Sequence, residues 1–337
     1  MKLPPPPTLE DLDASAPRFE RVHDVQHRPH WSVMIATYNS GEFLRRTLAS
    51  VLAQDDGPDR MQIEVVDGCS TKDDPQRVVD ELGQGRVAFH RIPANRGGAH
   101  TFNTCIARAR GHWVHILHGD DMVLPGFYRE YEALSARHPE AGTVFGQVVT
   151  IDEHDRWIGV YGPTPPIGGG IMEDFAEQQA IRQLVLASGI VTRRDVYEAV
   201  GGFSSALDHV VDWDMWFRLG HHAPVACAAR PYALFRVHSA SHTVRSGMMT
   251  SAADVRERYF VIDANLRRLG PRATPALRRL GWLRLADKAQ MNAWEQDAVG
   301  SYVGRYNQAT WAWMLDPSTS RFIFLMKSWL KSRLRRG

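Results

Sequence analysis

Between Trp31 and Thr150 the sequence switches repeatedly from short β-rich runs to longer stretches with helical spacing, and this alternation restricts the fold more than any other feature. "WSVMIA" (31–36), "IEVVD" (63–67), "VAFHRI" (87–92) and "HWVHIL" (112–117) read as strands. Between the first two, "SGEFLRRTLASVLAQ" (40–54) sets Phe43, Leu44, Leu48, Val51 and Leu52 on one face of a helix. A second helix is predicted over "DPQRVVDELG", with Pro75 suited to its first turn and Gly83 to its stop. A third covers "RGGAHTFNTCIARARG" (96–111), closed by Gly111. A fourth runs from about Pro125 to His138, before a strand at "GTVFGQVVT" (142–150). Strand–helix units of this length imply right-handed crossovers, so the expected core is a Rossmann-like, mostly parallel sheet flanked by helices.

Past residue 150 the pattern is less regular. "YGPTPPIGGG" (161–170) holds too much Pro and Gly for a regular element. "LVLASGIVTRRDVYEAVGGF" reads as a strand and a short helix, "VVDWDMWFRLGHH" as a helix and "ALFRVH" as a strand. From about Ser251 onward the chain is helical and rich in Arg, Leu and Trp. Four segments follow: an extended arm over 1–30, halves of one α/β domain over 31–150 and 151–250, and a helical extension over 251–337.

Composition narrows the function. The net charge of +2 gives no global electrostatic reason to expect nucleic acid as a partner. Cys69, Cys105 and Cys227 are scattered without CxxC spacing, which argues against a disulfide framework or zinc site and fits a reducing compartment. No apolar run approaches the roughly 20 residues of a membrane span. "MKLPPPPTLEDLDASAP" has no apolar signal core, so a cytoplasmic location is expected. "RFIFLMKSWLKSRLRRG" alternates apolar and basic residues without an acid. It suits either an anionic membrane surface at the inner face of the cell membrane, or docking on its own domain or a second subunit of a homo-oligomer.

In parallel sheets ligands bind beyond the carboxyl ends of the strands. Here those ends carry Thr37-Tyr38-Asn39, Asp67 and Asp120-Asp121. Adjacent carboxylates at the end of an apolar run are hard ligands for Mg²⁺ or Mn²⁺, and equally could cap the next helix; Asp67 at a neighbouring end favours a ligand site. In "VVDWDMWFRLG" a helix turns Asp212 and Asp214 to different faces, leaving one acid for a cleft and the other for Arg218. Asp212 can serve as a general base or as a simple cap. "ANRGGAHTFN" is a glycine turn opening a helix, able to offer N–H groups to an anion but lacking any phosphate-loop order. His238, after "LFRV", stands where a strand-end histidine can meet a metal or diphosphate.

Taken in order, these segments resemble the family-2 glycosyltransferases over roughly residues 31–242. "WSVMIATYNSGEFLRRTLASVLAQ" is similar to that family's opening strand, T-Y-N turn and helix, and "IEVVDGCSTKD" to V-V-D-D-G-S-T-D. "NRGGAHTFNTCIARARGHWVHILHGDD" is similar to N-x-G…N…A-x-G…DxDD, "VGGFSSALDHVVDWDMWFRL" to G-G-F…E-D-x-D-L-W-x-R, and "FRVHSAS" to R-x-H-x-x-S. The resemblance implies a GT-A fold, a nucleotide-sugar donor (a UDP-sugar by family frequency) and a glycan or lipid-linked acceptor. It assigns Thr37, Tyr38, Asn39, Glu42, Asp67, Asn95, Gly97 and Asn103 to the nucleotide. Asp120 would bind Mn²⁺ or Mg²⁺ with His118 and His238, Asp121 would meet the donor sugar or diphosphate, and Asp212 would deprotonate the acceptor in a single inverting displacement.

The chain departs from the pattern at four places. Ala36 replaces a proline, Gly68-Cys69 replaces Asp-Gly, His118 stands where the first acid of DxD is usual, and Val211 replaces a glutamate. Two other readings stay open at this point. A nucleotidyltransferase would need a basic glycine loop after the first strand, where "ATYNSGEF" has none before Arg45. A catalytically silent glycan-binding protein on the same fold would account for the departures.

Overall fold

The computed structural model describes residues 7–23, 27–239 and 248–334. Its strands are β1 (Trp31–Thr37), β2 (Met61–Asp67), β3 (Ala88–Arg91), β4 (Trp113–His118), β5 (Met122–Val123), β6 (Thr143–Phe145), β7 (Val148–Ile151), β8 (Trp157–Tyr161), β9 (Gly170–Ile171), β10 (Ile190–Arg193), β11 (Val225–Cys227) and β12 (Ala233–Arg236). The helices are α1 (Leu9–Ala14), α2 (Gly41–Leu52), α3 (Pro75–Gly83), α4 (Gly98–Arg108), α5 (Phe127–Arg137), α6 (Phe175–Ile181), α7 (Arg194–Val200) and α8 (Val211–His222). Beyond them lie α9 (Met248–Ser251), α10 (Ala253–Arg268), α11 (Pro275–Ala298), α12 (Tyr302–Leu315) and α13 (Thr319–Leu334).

The main sheet runs β3-β2-β1-β4-β10-β6-β11-β9, and a smaller one runs β5-β12-β7-β8. β3, β2, β1 and β4 are parallel neighbours, whereas β10 enters antiparallel to both β4 and β6. Every residue of β1 and β2 is buried, as a strand covered on both faces requires. α2 covers one face with Leu44, Leu48 and Val51, and the core formed with Trp31, Val33, Ile35 and Val65 extends to Phe127 and Tyr131 of α5.

Two boundaries differ from the sequence expectation, each for a packing reason. α4 ends at Arg108 and Ala109 is already extended, so Gly111 does not close the helix. A Cβ at Gly111 would instead stand 2.6 Å from the Ser32 amide nitrogen, and the glycine lets the chain pass against β1. The predicted strand 142–150 is two strands, because the chain leaves the main sheet after Phe145 and joins the small sheet at Val148. At the crossing, Gly146 sits where a Cβ would be 2.8 Å from the Tyr131 hydroxyl, and its N–H donates to Gly189 O. β8 and β9 bracket the Pro/Gly stretch, which keeps no regular element between Gly162 and Gly169.

The described part of the N-terminal arm is extended after α1, but it is not loose. Pro17 O accepts from Gly202 N, Arg18 donates to Ala199 O, and Val22 N donates to Glu198. The chain separates into two compact units: Leu12–Phe175 with Leu184–His238, holding both sheets, and a helical unit of Met1–Asp11, Ala176–Gln183 and Ser239–Gly337. In the helical unit α11, α12 and α13 pack on one another around Ala286, Ala289, Ala293, Ala309 and Ala312. Among the described residues, no helix is long and apolar enough to cross a membrane.

Candidate active site

The parallel register sets the strand-end residues side by side: Thr37 pairs with Asp67, and Ala36 with His118. The chain then turns sharply at Gly119, whose N–H donates to Ala36 O and where a Cβ would lie 2.8 Å from Thr37 Oγ1. Only a residue without a side chain allows that approach, and it sets Asp120 beside the end of β1.

Asp120 and Asp121 occupy different environments. Asp120 keeps a quarter of its side chain exposed, and its Oδ2 receives a hydrogen bond from His238 Nε2 at 3.0 Å. Burial by itself would raise the Asp120 pKa; the His238 hydrogen bond and the charge of His118 outweigh it and hold the carboxyl below its ordinary range. Asp121 is fully buried, with Oδ1 accepting the Arg236 N–H at 2.8 Å and Oδ2 lacking a hydrogen-bond partner. Burial, then the adjacent Asp120 carboxylate, push its pKa well above the carboxylate range. Asp121 does not cap α5, whose N-cap is Gly126.

His118, Asp120 and Asp121 each offer a ligand atom, all within 4.8 Å of one another. His118 Nδ1 lies 3.8 Å from the unpartnered Asp121 Oδ2. An imidazole, two carboxylates and an orphaned buried oxygen fit a divalent cation, which would relieve the repulsion between the acids. His238 joins this group through Asp120, with its ring packed 4.9 Å from that of Phe43.

The nucleotide-assigned residues are largely engaged with one another. Asp67 accepts from Ser70 Oγ at 2.6 Å and from Arg91 Nε at 2.7 Å. Ser70 Oγ in turn accepts the Asn39 N–H, and the Asn39 side chain accepts the N–H groups of Thr71 and Lys72. Asn39 adopts a left-handed backbone (φ 53°), which asparagine tolerates. Tyr38 and Glu42 are exposed beside this turn, and Thr37 Oγ1 is buried without a hydrogen-bond partner. Asn95 closes a turn onto the N–H of Gly97 (φ +87°), which precedes α4. Asn103 is set apart from them: its amide donates to Phe203 O at 2.9 Å and accepts from Phe203 N at 2.8 Å.

That clamp ties the strand-end cluster to α8. The His118 ring stacks on Phe102, with 5.1 Å between centroids. Phe102 meets Phe203 at 5.2 Å, and Phe203 meets Trp216 of α8 at 5.6 Å. Asp212 stands one helical turn before Trp216, half-exposed in the first turn of α8. Asp214 is buried and bonded to Arg218 at 2.8 Å, so the two acids divide as the helical spacing predicts. Asp212 is not the N-cap of α8, a position held by Val210.

The glycosyl transferase family 2 model matches residues 32–201, half of the chain. The chain belongs to that family. An uncharacterized protein of Mycobacterium tuberculosis (strain CDC 1551 / Oshkosh) is 26% identical over 273 residues, covering 76% of this chain and 82% of that protein. The succinoglycan biosynthesis protein ExoO of Rhizobium meliloti (strain 1021) is 30% identical over 139 residues, 41% of this chain and 35% of ExoO. Among solved structures, S. aureus TarS 1-349 superposes with a TM-score of 0.60 at 14% identity, covering 91% of both chains. Its complex with UDP gives a TM-score of 0.59 at 15% identity. The fold is therefore the GT-A fold with C-terminal helices, and the protein is a glycosyltransferase.

For a glycosyltransferase of family 2, two features of this site escaped the sequence reading. Arg236, buried to 2% exposure, donates through Nε to Asp120 O and through Nη1 to Asp152 O, pairs with Asp155, and lies 4.6 Å over the Phe43 ring. It fastens β12 to the acidic turn, and only the arginine of R-x-H-x-x-S hinted at it. His115, buried inside β4, places Nδ1 3.2 Å from Tyr128 OH and Nε2 3.2 Å from Ser188 O. The carbonyl can only accept, so Nε2 carries the proton and Nδ1 accepts from the phenol. This braces the turn Ala187–Gly189 behind Asp121, and no local pattern marks it. The segment 240–247 after His238, which holds the serine of R-x-H-x-x-S, lies outside the described residues.

Proposed function

We propose that this glycosyltransferase transfers a sugar, with inversion, from a nucleotide-sugar to a hydroxyl of a glycan or lipid-linked acceptor, using a divalent cation. The observation that carries the metal is the group of His118, Asp120 and Asp121 with its unpartnered buried oxygen. His118 and Asp120 would hold the ion, with Asp121 beneath and His238 orienting Asp120. When bound, Mn²⁺ or Mg²⁺ supplies positive charge that neutralises a leaving diphosphate.

The chain's own groups account for the rest. Asp212 takes the proton of the acceptor hydroxyl. The acceptor oxygen then attacks the anomeric carbon from the face opposite the departing phosphate, and the bond from that carbon to the diphosphate oxygen breaks. The Thr37–Asn39 turn and Asp67 face the nucleoside. Asp67 already accepts from Ser70 and Arg91, so the Arg91–Asp67 pair, rather than a free carboxylate, meets the base. UDP is the favoured nucleotide, in keeping with TarS, and the likeness to ExoO supports a bacterial polysaccharide as the acceptor class.

The test is turnover of a panel of UDP-, dTDP- and GDP-sugars with Mn²⁺ or Mg²⁺, comparing wild type with Asp212→Asn. Loss of a general base is expected to lower kcat by roughly 10²–10⁴-fold with donor affinity unchanged. Full activity in Asp212→Asn would remove Asp212 from the role.

A further inference from the structure

α13 has two faces of opposite character. Its inner face is buried at Ser328 and Ser332, and Arg321 bonds Asp316, Asp287 and Gln290. The outer face carries Phe322, Ile323, Met326, Trp329 and Leu330, all between 37% and 48% exposed. Their spacing of one, three and four residues makes one continuous apolar stripe. A helix that had exhausted its packing on its own unit would show polar residues there. Scattered exposed apolar side chains are ordinary, but five in a row on one helix face mark an interaction surface.

Charge identifies the occupant. From Pro317 to Gly337 the sequence has six basic residues and no acid. Two of the six, Arg321 and Lys331, are neutralised by Asp287, Asp316 and Asp297. Lys327 and Arg333 are exposed beside the stripe, form no ion pair among the described residues, and Arg333 lies 5.6 Å over the Trp329 ring. Arg335 and Arg336 follow in sequence. A second copy docked through a two-fold axis would set these cations against themselves with no acid to compensate. An anionic lipid surface instead satisfies the stripe and the charge together, the acyl boundary taking Phe322, Ile323 and Met326 and the headgroups Lys327 and Arg333. At about 1.5 Å per residue, α13 is about 24 Å long, short of the roughly 30 Å hydrocarbon core. It therefore lies on the surface rather than across it.

We propose that the outer face of α13 docks this glycosyltransferase peripherally on an anionic membrane. The experiment is co-sedimentation of the full chain with vesicles of phosphatidylcholine alone or mixed with phosphatidylglycerol. Binding is expected only to the mixed vesicles and to be released by salt. Neutralising Lys327→Gln with Arg333→Gln should weaken it roughly thirtyfold, at about one-fifth of the affinity retained per basic residue. Phe322→Ser with Ile323→Ser should abolish it while the thermal midpoint and nucleotide binding stay at wild-type values. Equal binding to both vesicles, or binding to neither, would overturn the proposal. A dimer in size-exclusion chromatography that the serine pair dissociates would assign the stripe to a second copy instead. Nucleotide binding is read in the same samples, so a failure of the transferase reading is seen separately.

Discussion

At the residue scale, Cys69 shows what a departure from the family pattern costs. It stands at the glycine position of the D-D-G-S segment, and its backbone is left-handed at φ 70°. A side chain there costs roughly 1–2 kcal/mol, part of which glycine returns through its greater freedom when unfolded. Cys69→Gly is therefore expected to stabilise the protein by about 0.5–1 kcal/mol in urea unfolding. A loss of stability would mean that the thiol contact to Pro93 O outweighs the strain. His115 carries a pH dependence of stability. Burial lowers its pKa from 6.5 to about 3, against the favourable pull of the Ser188 carbonyl. Above pH 6.5 the ring is neutral in both states and the fold keeps its full stability. Below that, the unfolded chain binds a proton that the folded chain refuses, and stability falls by about 1.4 kcal/mol per pH unit until about pH 3. His115→Gln, which cannot titrate, should be the less stable protein at neutral pH and lose part of that deficit in acid. A deficit that does not change with pH would contradict the assignment.

Among the elements, β1, β2 and β4 were legible in the sequence because strands covered on both faces are near-continuous apolar runs, and the polar residues that end them stand out. β5, β9 and β11, two or three residues each, exist only because a neighbouring strand pairs with them. The same limit hid Arg236, whose amide meets Asp121 across 115 residues of sequence. Asn103 is a clearer case. The family resemblance assigns it to the nucleotide, whereas its amide grips the Phe203 backbone and holds the aromatic series from His118 to Trp216. The neighbouring Gly202 admits no side chain, since a Cβ would fall 2.3 Å from Asn103 Oδ1. Asn103→Ala should cost about 1–3 kcal/mol by leaving the Phe203 amide and carbonyl unpaired. It should lower kcat by shifting α8 and Asp212, with the Kd for UDP unchanged in calorimetry. A weaker Kd with unchanged kcat would return Asn103 to the nucleotide.

At the scale of the molecule, the parallel sheet collects acids at its strand ends, and the small sheet delivers Arg236 and His238 to them from the far side of the sequence. Asp120 is left reachable, and Asp121 is buried beneath it as a support that a cation would complete. His118, in the place of the usual first acid, contributes a ring that both faces the carboxylates and stacks on Phe102, which links the cluster through Phe203 to α8, the helix that carries the proposed acceptor base Asp212. In the proposed function this cluster binds a divalent cation for the nucleotide diphosphate. The direct measurement is calorimetric titration of UDP into wild type and Asp120→Asn, each with Mn²⁺ and with chelator. Mn²⁺ is expected to tighten UDP binding in wild type by tenfold or more, on the order of 1.4 kcal/mol. In Asp120→Asn that increment should vanish without a change in fold by circular dichroism. Equal UDP affinity with Mn²⁺ and with chelator in the wild-type protein would contradict it.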